Sequence, residues 1–199
     1  MKPHVAIDGV IAIVRELGFK AKGTTLHRAG PEGKGIHVVY VQSGRGPYEG
    51  KFTINMGVFI PSVFQLARSK EPPRSPHIYD CQVETRISAF VGAGDIWWPS
   101  NAPQTLVDLE PAIRADLTRF FEAWGSPSAI LERWREGFPK RSVVMVSPAA
   151  VTAFLHEQHR DEEAAEVLKT EYLWFLEKGK APPSWITDVA LKLGLELKV

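Results

Sequence analysis

Between Phe52 and Ile60 the chain alternates with a period of two: Phe52, Ile54, Met56, Val58 and Ile60 on one set of positions, Thr53, Asn55 and Gly57 on the other. Successive side chains of a strand point to opposite faces, so this pattern specifies a half-buried strand of an antiparallel sheet. Cys81, Val83, Thr85 and Ile87 repeat the pattern against Gln82, Glu84 and Arg86. Together the two segments predict a sheet with one apolar face and one polar face that its strands share.

Ile7, Val10, Ile11, Val14 and Leu17 fall at helical spacing, with Gly18 where a C-terminal cap belongs, so an amphipathic helix precedes the sheet. Strands are predicted over 24–28, 36–43, 51–60 and 79–90, and the turn-forming stretches 30–35 and 44–47 join neighbours into a meander. Pro72, Pro73 and Pro76 make 70–76 an irregular loop. Beyond it the period changes to 3.6. Leu106, Leu109, Ile113, Leu117, Phe120, Phe121 and Trp124 form one helical stripe, with Ser100 or Asn101 available as its N-cap. Shorter helices are predicted around Leu131, after Ser147, after Asp161 and after Ser184. The result is an α+β fold: an N-terminal helix, a four-stranded antiparallel meander with helices on one face, and a helical C-terminal region. One domain over 1–199 is expected, with 147–199 either part of the same core or a helical extension of it.

The 24 basic and 23 acidic residues leave a formal net charge of +1, so no global field favours nucleic acid or an anionic membrane, and neither is expected as a partner. The cluster Arg133, Arg135, Lys140 and Arg141 around Trp134 is interrupted by Glu132 and Glu136. Asp8, Arg15 and Glu16 interrupt the apolar residues after Lys2, unlike the core of a signal peptide, and no stretch reaches the ~20 apolar residues of a membrane span. Cys81 is the single cysteine, which excludes an intrachain disulfide and a thiolate zinc cage and fits a reducing, cytoplasmic setting.

In chain order, the helix end Leu17-Gly18-Phe19, the strand end Gln42-Ser43, the strand segment Phe52-Thr53-Ile54-Asn55-Met56-Gly57-Val58, the segment Cys81-Gln82-Val83-Glu84-Thr85-Arg86-Ile87 and then Asp95-Ile96-Trp97-Trp98 resemble the domain-of-unknown-function family 4304. The resemblance covers roughly residues 5–124, and it departs from the family's pattern at Ser88-Ala89-Phe90, where a glycine is more usual. It implies a fold and a bacterial setting in which some relatives look like immunity or accessory proteins of conflict systems. It implies no catalytic residues.

Gln42, Asn55, Glu84 and Arg86 on the polar sheet face are the candidate ligand-binding residues. Two amides, a carboxylate and a guanidinium can orient a polar ligand, with Arg86 anchoring an anion and Glu84 as acid or base. The plainer account is a solvated Glu84–Arg86 ion pair worth ~0–1 kcal/mol. Gly57 invites close packing, with Trp97 or Trp98 expected over it. Cys81 shares the parity of Val83 and Ile87 and is expected on the apolar face as a small buried hydrophobe, although His77 and Asp80 stand close enough in sequence to imagine a nucleophile. His156 and His159 are three apart, whereas a zinc-protease helix needs two histidines four apart, so no metal is assigned. Among six tryptophans, Trp98 and Trp134 are the interface candidates, since tryptophan is enriched at the energetic centres of interfaces. The function expected is therefore a noncatalytic protein-interaction module, monomer or homodimer, without a cofactor. The alternative is a small-ligand receptor or enzyme that uses the polar sheet face.

Overall fold

The computed structural model describes residues 5–135 and 144–197. Helix α1 (Val5–Glu16) buries Ala6, Ile7, Val10, Ile13 and Val14, and Gly18 at φ 87° turns the chain out of it as the spacing predicts. Strands β1 (Lys20–Lys22), β2 (Thr25–Ala29), β3 (Ile36–Ser43), β4 (Lys51–Phe59), β5 (Val83–Arg86), β6 (Trp98–Pro99) and β7 (Met145–Val146) form one sheet. Its order is β1-β2-β3-β4-β5-β7, every pair antiparallel, with β6 on the β5 side of β4 at the opposite end. The α+β architecture is as expected, and the meander has seven strands instead of four. The three extra strands are two or three residues long, too short for alternation to register.

Two stretches differ from expectation for local reasons. Residues 79–90 hold a strand only at Val83–Arg86. Before it lies a 3₁₀ turn, Ile78–Asp80, closed by the backbone N–H of His77 donating to the Asp80 carboxylate at 2.8 Å, and after it comes helix α3 (Ile87–Phe90). Helix α2 (Pro61–Arg68) follows β4 without a break, started by Pro61 at its first turn.

One face of the sheet carries Val39, Val41, Phe52, Ile54, Met56, Val58 and Val83, all fully buried. α1 and α4 (Pro103–Trp124) cover it, and α5 (Pro127–Arg135) and α6 (Pro148–Glu157) continue the layer. α7 (Asp161–Glu177) and α8 (Trp185–Leu193) pack on α6, and Leu168 and Ile186 belong to the same apolar cluster as the sheet residues. Ser100 does not cap α4. Its hydroxyl donates to the Gly50 carbonyl at 2.9 Å, and Ala102 is the N-cap residue.

The opposite face is divided along the strands. At one end Val38, Phe59 and Phe64 form a second apolar cluster against which Ile36 and Cys81 pack. At the other end Tyr40, Gln42, Asn55, Glu84 and Arg86 share the surface, as the register Tyr40↔Asn55, Asn55↔Arg86 and Gly57↔Glu84 requires. This face is not a solvated one: Thr53 is 0% and Asn55 8% exposed. Gly57 lets the chain 78–81 cross it. A Cβ there would stand 2.7 Å from Ile78 Cδ1 and 2.8 Å from Cys81 Sγ. Ile78 and Cys81, not Trp97 or Trp98, therefore fill the space over Gly57. The 3₁₀ turn shifts the parity and puts Cys81 on this face, opposite to the apolar face expected for it.

Gly57→Ala must push Ile78 and Cys81 off the sheet, and overpacking of this kind costs about 1–3 kcal/mol. Urea unfolding should show that loss as a lower midpoint; an unchanged midpoint would contradict the close contact.

Candidate functional site

The site is assembled from the outward positions of three strands and one turn. Gln42 is the last residue but one of β3, Asn55 lies mid-β4, Glu84 and Arg86 alternate on β5, and the 3₁₀ turn presents Tyr79. All four residues that the sequence pattern points to line one cleft of about 420 Å³, with Tyr79 and Met145 at its rim. Gln42 and Tyr79 also line an adjoining hollow of about 590 Å³, walled by Tyr40, Arg45, Tyr48 and Trp97. Both volumes lie in the range of small-ligand sites.

The amides are fixed by each other. Asn55 Nδ2 donates to Gln42 Oε1 at 3.1 Å and lies 3.5 Å from the Tyr40 carbonyl, which leaves Asn55 Oδ1 and Gln42 Nε2 out of the amide pair's own hydrogen bond. Whichever way the two amides are turned, the pair keeps one free acceptor and one free donor.

The Glu84–Arg86 ion pair does not form. Two residues apart on a strand, the side chains share a face but stand roughly 7 Å apart at their bases. Arg86 instead pairs with Asp95, and its guanidinium lies 5.2 Å from the centre of the Trp97 ring. Trp97 is in turn stacked on Tyr48 at 4.6 Å. Glu84, half-buried, has neither a hydrogen bond nor an ion pair among the described residues, and burial pushes its carboxyl above the usual glutamate value. Thr53 Oγ1, His77 Nδ1 and Trp97 Nε1 are buried without a hydrogen-bond partner among the described residues. His77 and Trp97 both line the larger hollow.

Cys81 is not built as a nucleophile. Burial pushes its thiol well up, Glu84 and Asp80 add to the shift, and the thiol faces the His77 carbonyl at 3.6 Å. The His77 ring packs on Tyr40 and Tyr79 at 4.4 and 4.8 Å, and the Asp80 carboxylate is held by the His77 backbone. Trp98 is half-buried against Phe52 with ring centres 5.9 Å apart, and Trp134 is half-buried against the main core. His156 Nδ1 pairs with Asp161 at 2.7 Å. Among the described residues no three His, Cys, Asp or Glu side chains are grouped to hold a metal, and no helix is long and apolar enough to cross a membrane. Lys140 and Arg141 of the basic cluster lie outside the described residues.

Tyr40, Tyr79, Asp95 and Met145 join the site without standing out in the sequence. Tyr40 carries a usable signal, since it shares the parity of Gln42. Asp95 sits in a loop and Met145 in a two-residue strand, and neither has a periodic signal.

An α+β chain whose outer sheet face carries a half-enclosed polar cleft is the class that this geometry defines. The chain belongs to the family described as Domain of unknown function (DUF4304), whose family model matches residues 11–126, more than half of the sequence. Gln42, Asn55, Tyr79, Glu84 and Arg86 fall inside the matched segment, while Met145 and helices α6–α8 fall outside it. Comparison with curated proteins and with solved structures gives no match.

A raised carboxyl value has a definite sign for stability. It favours the folded state below the unfolded glutamate value of about 4.3, and that contribution is lost as pH rises through the folded value. Among the described residues, the other groups around Glu84 that titrate or carry charge are Arg86 with Asp95, Asp80, Cys81 and Tyr79. Glu84→Gln should therefore melt at a higher temperature than the parent chain at pH 7, with the difference shrinking as pH falls below about 4.3. A lower melting temperature at pH 7 would mean that the carboxylate is a structural partner after all.

Proposed function

We propose that the chain is a noncatalytic protein-interaction module of the immunity or accessory kind, working in the bacterial cytoplasm, and that it takes its partner in the cleft over the outer sheet face. The observation that carries this reading is Glu84: a half-buried carboxylate without an ion-pair partner among the described residues, between the rim side chains Tyr79 and Met145, which are 65% and 60% exposed. Large apolar side chains around a polar centre exclude water from it when a partner docks, and that is the arrangement of an energetic centre of an interface. A half-buried carboxylate left without an ion pair among the described residues gains one when a docking partner brings a cation to it. Trp98 and Trp134 rest against the core, so the cleft is the better recognition surface.

A small-ligand reading draws support from the adjoining hollow of about 590 Å³ and its aromatic walls. One experiment separates the two. Tagged chain purified gently from its native host is measured by native mass spectrometry as the parent and as Tyr79→Ser and Leu191→Ser, the last a remote side chain, 82% exposed on α8. A stoichiometric protein mass is expected in the parent and in Leu191→Ser and lost in Tyr79→Ser. A bound mass of small-molecule size favours the ligand reading, and a partner retained equally by all three overturns the cleft as the recognition surface.

A further inference from the structure

We infer that the group the cleft reads is the guanidinium of an arginine side chain on the partner, with Glu84 as its counter-ion and the Asn55–Gln42 amide pair as a second hydrogen-bonding station. This rests on the reading of the cleft as a protein-recognition surface.

The sign of the site comes from which charge is free. Arg86, the residue expected to anchor an anion, is already neutralised by Asp95 and covered by Trp97, so it offers little to an anionic ligand. Among the described residues Glu84 is the charge on this part of the floor without a counter-ion, and in its half-buried position an arriving cation is screened less than on an open surface. Arg45 lines only the neighbouring hollow and is exposed, so its charge is screened by water.

The choice of guanidinium over ammonium comes from the number and placement of acceptors. Glu84 offers two carboxylate oxygens, and the locked amide pair always offers one more oxygen, because each of its two side chains commits one group to the other. A guanidinium carries five N–H donors in a planar fork that meets a carboxylate with two parallel bonds and still has donors left for the amide oxygen. An ammonium is a compact point charge and gains less from acceptors spread across a floor. Tyr79, exposed at the rim, supplies an aromatic face of the kind on which guanidinium planes stack.

The test uses the full chain, isotope-labelled, titrated with three capped tripeptides: acetyl-Gly-Arg-Gly-amide, its lysine counterpart and its citrulline counterpart, the last a neutral isostere of arginine. The arginine peptide should shift the Glu84 carboxyl, the Asn55 and Gln42 side-chain amides and Tyr79 with millimolar affinity. The citrulline peptide and the Glu84→Gln variant should each bind about tenfold more weakly, as expected for loss of a charge-assisted pair. Equal binding of the citrulline peptide, undiminished binding to Glu84→Gln, or no shifts in the cleft at all would overturn the inference. Equal binding of the lysine peptide would overturn the preference for guanidinium, and free arginine binding more tightly than the capped peptide would overturn the partner as its source. Glu84→Gln also separates this inference from the reading beneath it. If the host partner is lost with Tyr79→Ser but kept with Glu84→Gln, the arginine is wrong and the cleft stands; if both variants keep the partner, the cleft itself is wrong.

Discussion

Burial of β4 on both faces is the constraint from which the rest of the structure follows. From Phe52 to Phe59 every residue of this strand is buried, although the alternation in its sequence is that of a strand with one wet side. One side, Phe52, Ile54, Met56 and Val58, meets α4 and joins the main core to which α1 also belongs. The other side must be covered by something thin, and the chain 78–81 does so only because Gly57 has no side chain. Where that chain lies against the sheet, the outer face is apolar and closed. Where it departs, the amides of Gln42 and Asn55 and the carboxylate of Glu84 face a cleft. Site and scaffold are thus two halves of one strand surface.

The energetics of the two halves differ in kind. The apolar half gains from every contact, whereas the polar half holds buried atoms on Thr53, His77 and Trp97 and a carboxylate on Glu84 that are unpaired among the described residues. Consistency between local chemistry and burial is the rule in folded proteins, and departures from it gather where function is served. The departure here has direction as well as place. Asp95 pairs with Arg86, and Glu84 is left without an ion pair among the described residues, so the cation preference inferred for the cleft is the reverse of what the two residues suggest when read side by side in the sequence.

Much of this is legible in the sequence. Long alternation locates β4 almost to the residue, the turn-forming stretches on either side bound β3, and the stripe from Leu106 to Trp124 locates α4, because a long run of periodic positions leaves little freedom of phase. Parity alone places Gln42, Asn55, Glu84 and Arg86 on outward positions, and the sheet register brings them to one cleft. What escapes a reading of the sequence is decided by single contacts. The His77–Asp80 hydrogen bond converts the expected start of the fourth strand into a turn and moves Cys81 to the other face. The contact that takes Arg86 from Glu84 spans nine residues and comes from a loop without pattern. β6 and β7, two residues each, exist because neighbouring strands leave edges for them to pair with, which no local signal announces.

The account turns on Glu84 being a half-buried carboxylate without a hydrogen bond or ion pair among the described residues, and a carbon-detected NMR titration of its side-chain carboxyl tests this most directly. Titration above the ordinary glutamate value of about 4.3 is the expected result. Titration at or below that value would show a carboxylate stabilised by a partner or by water, and would contradict both the electrostatics of the cleft and the recognition assigned to it.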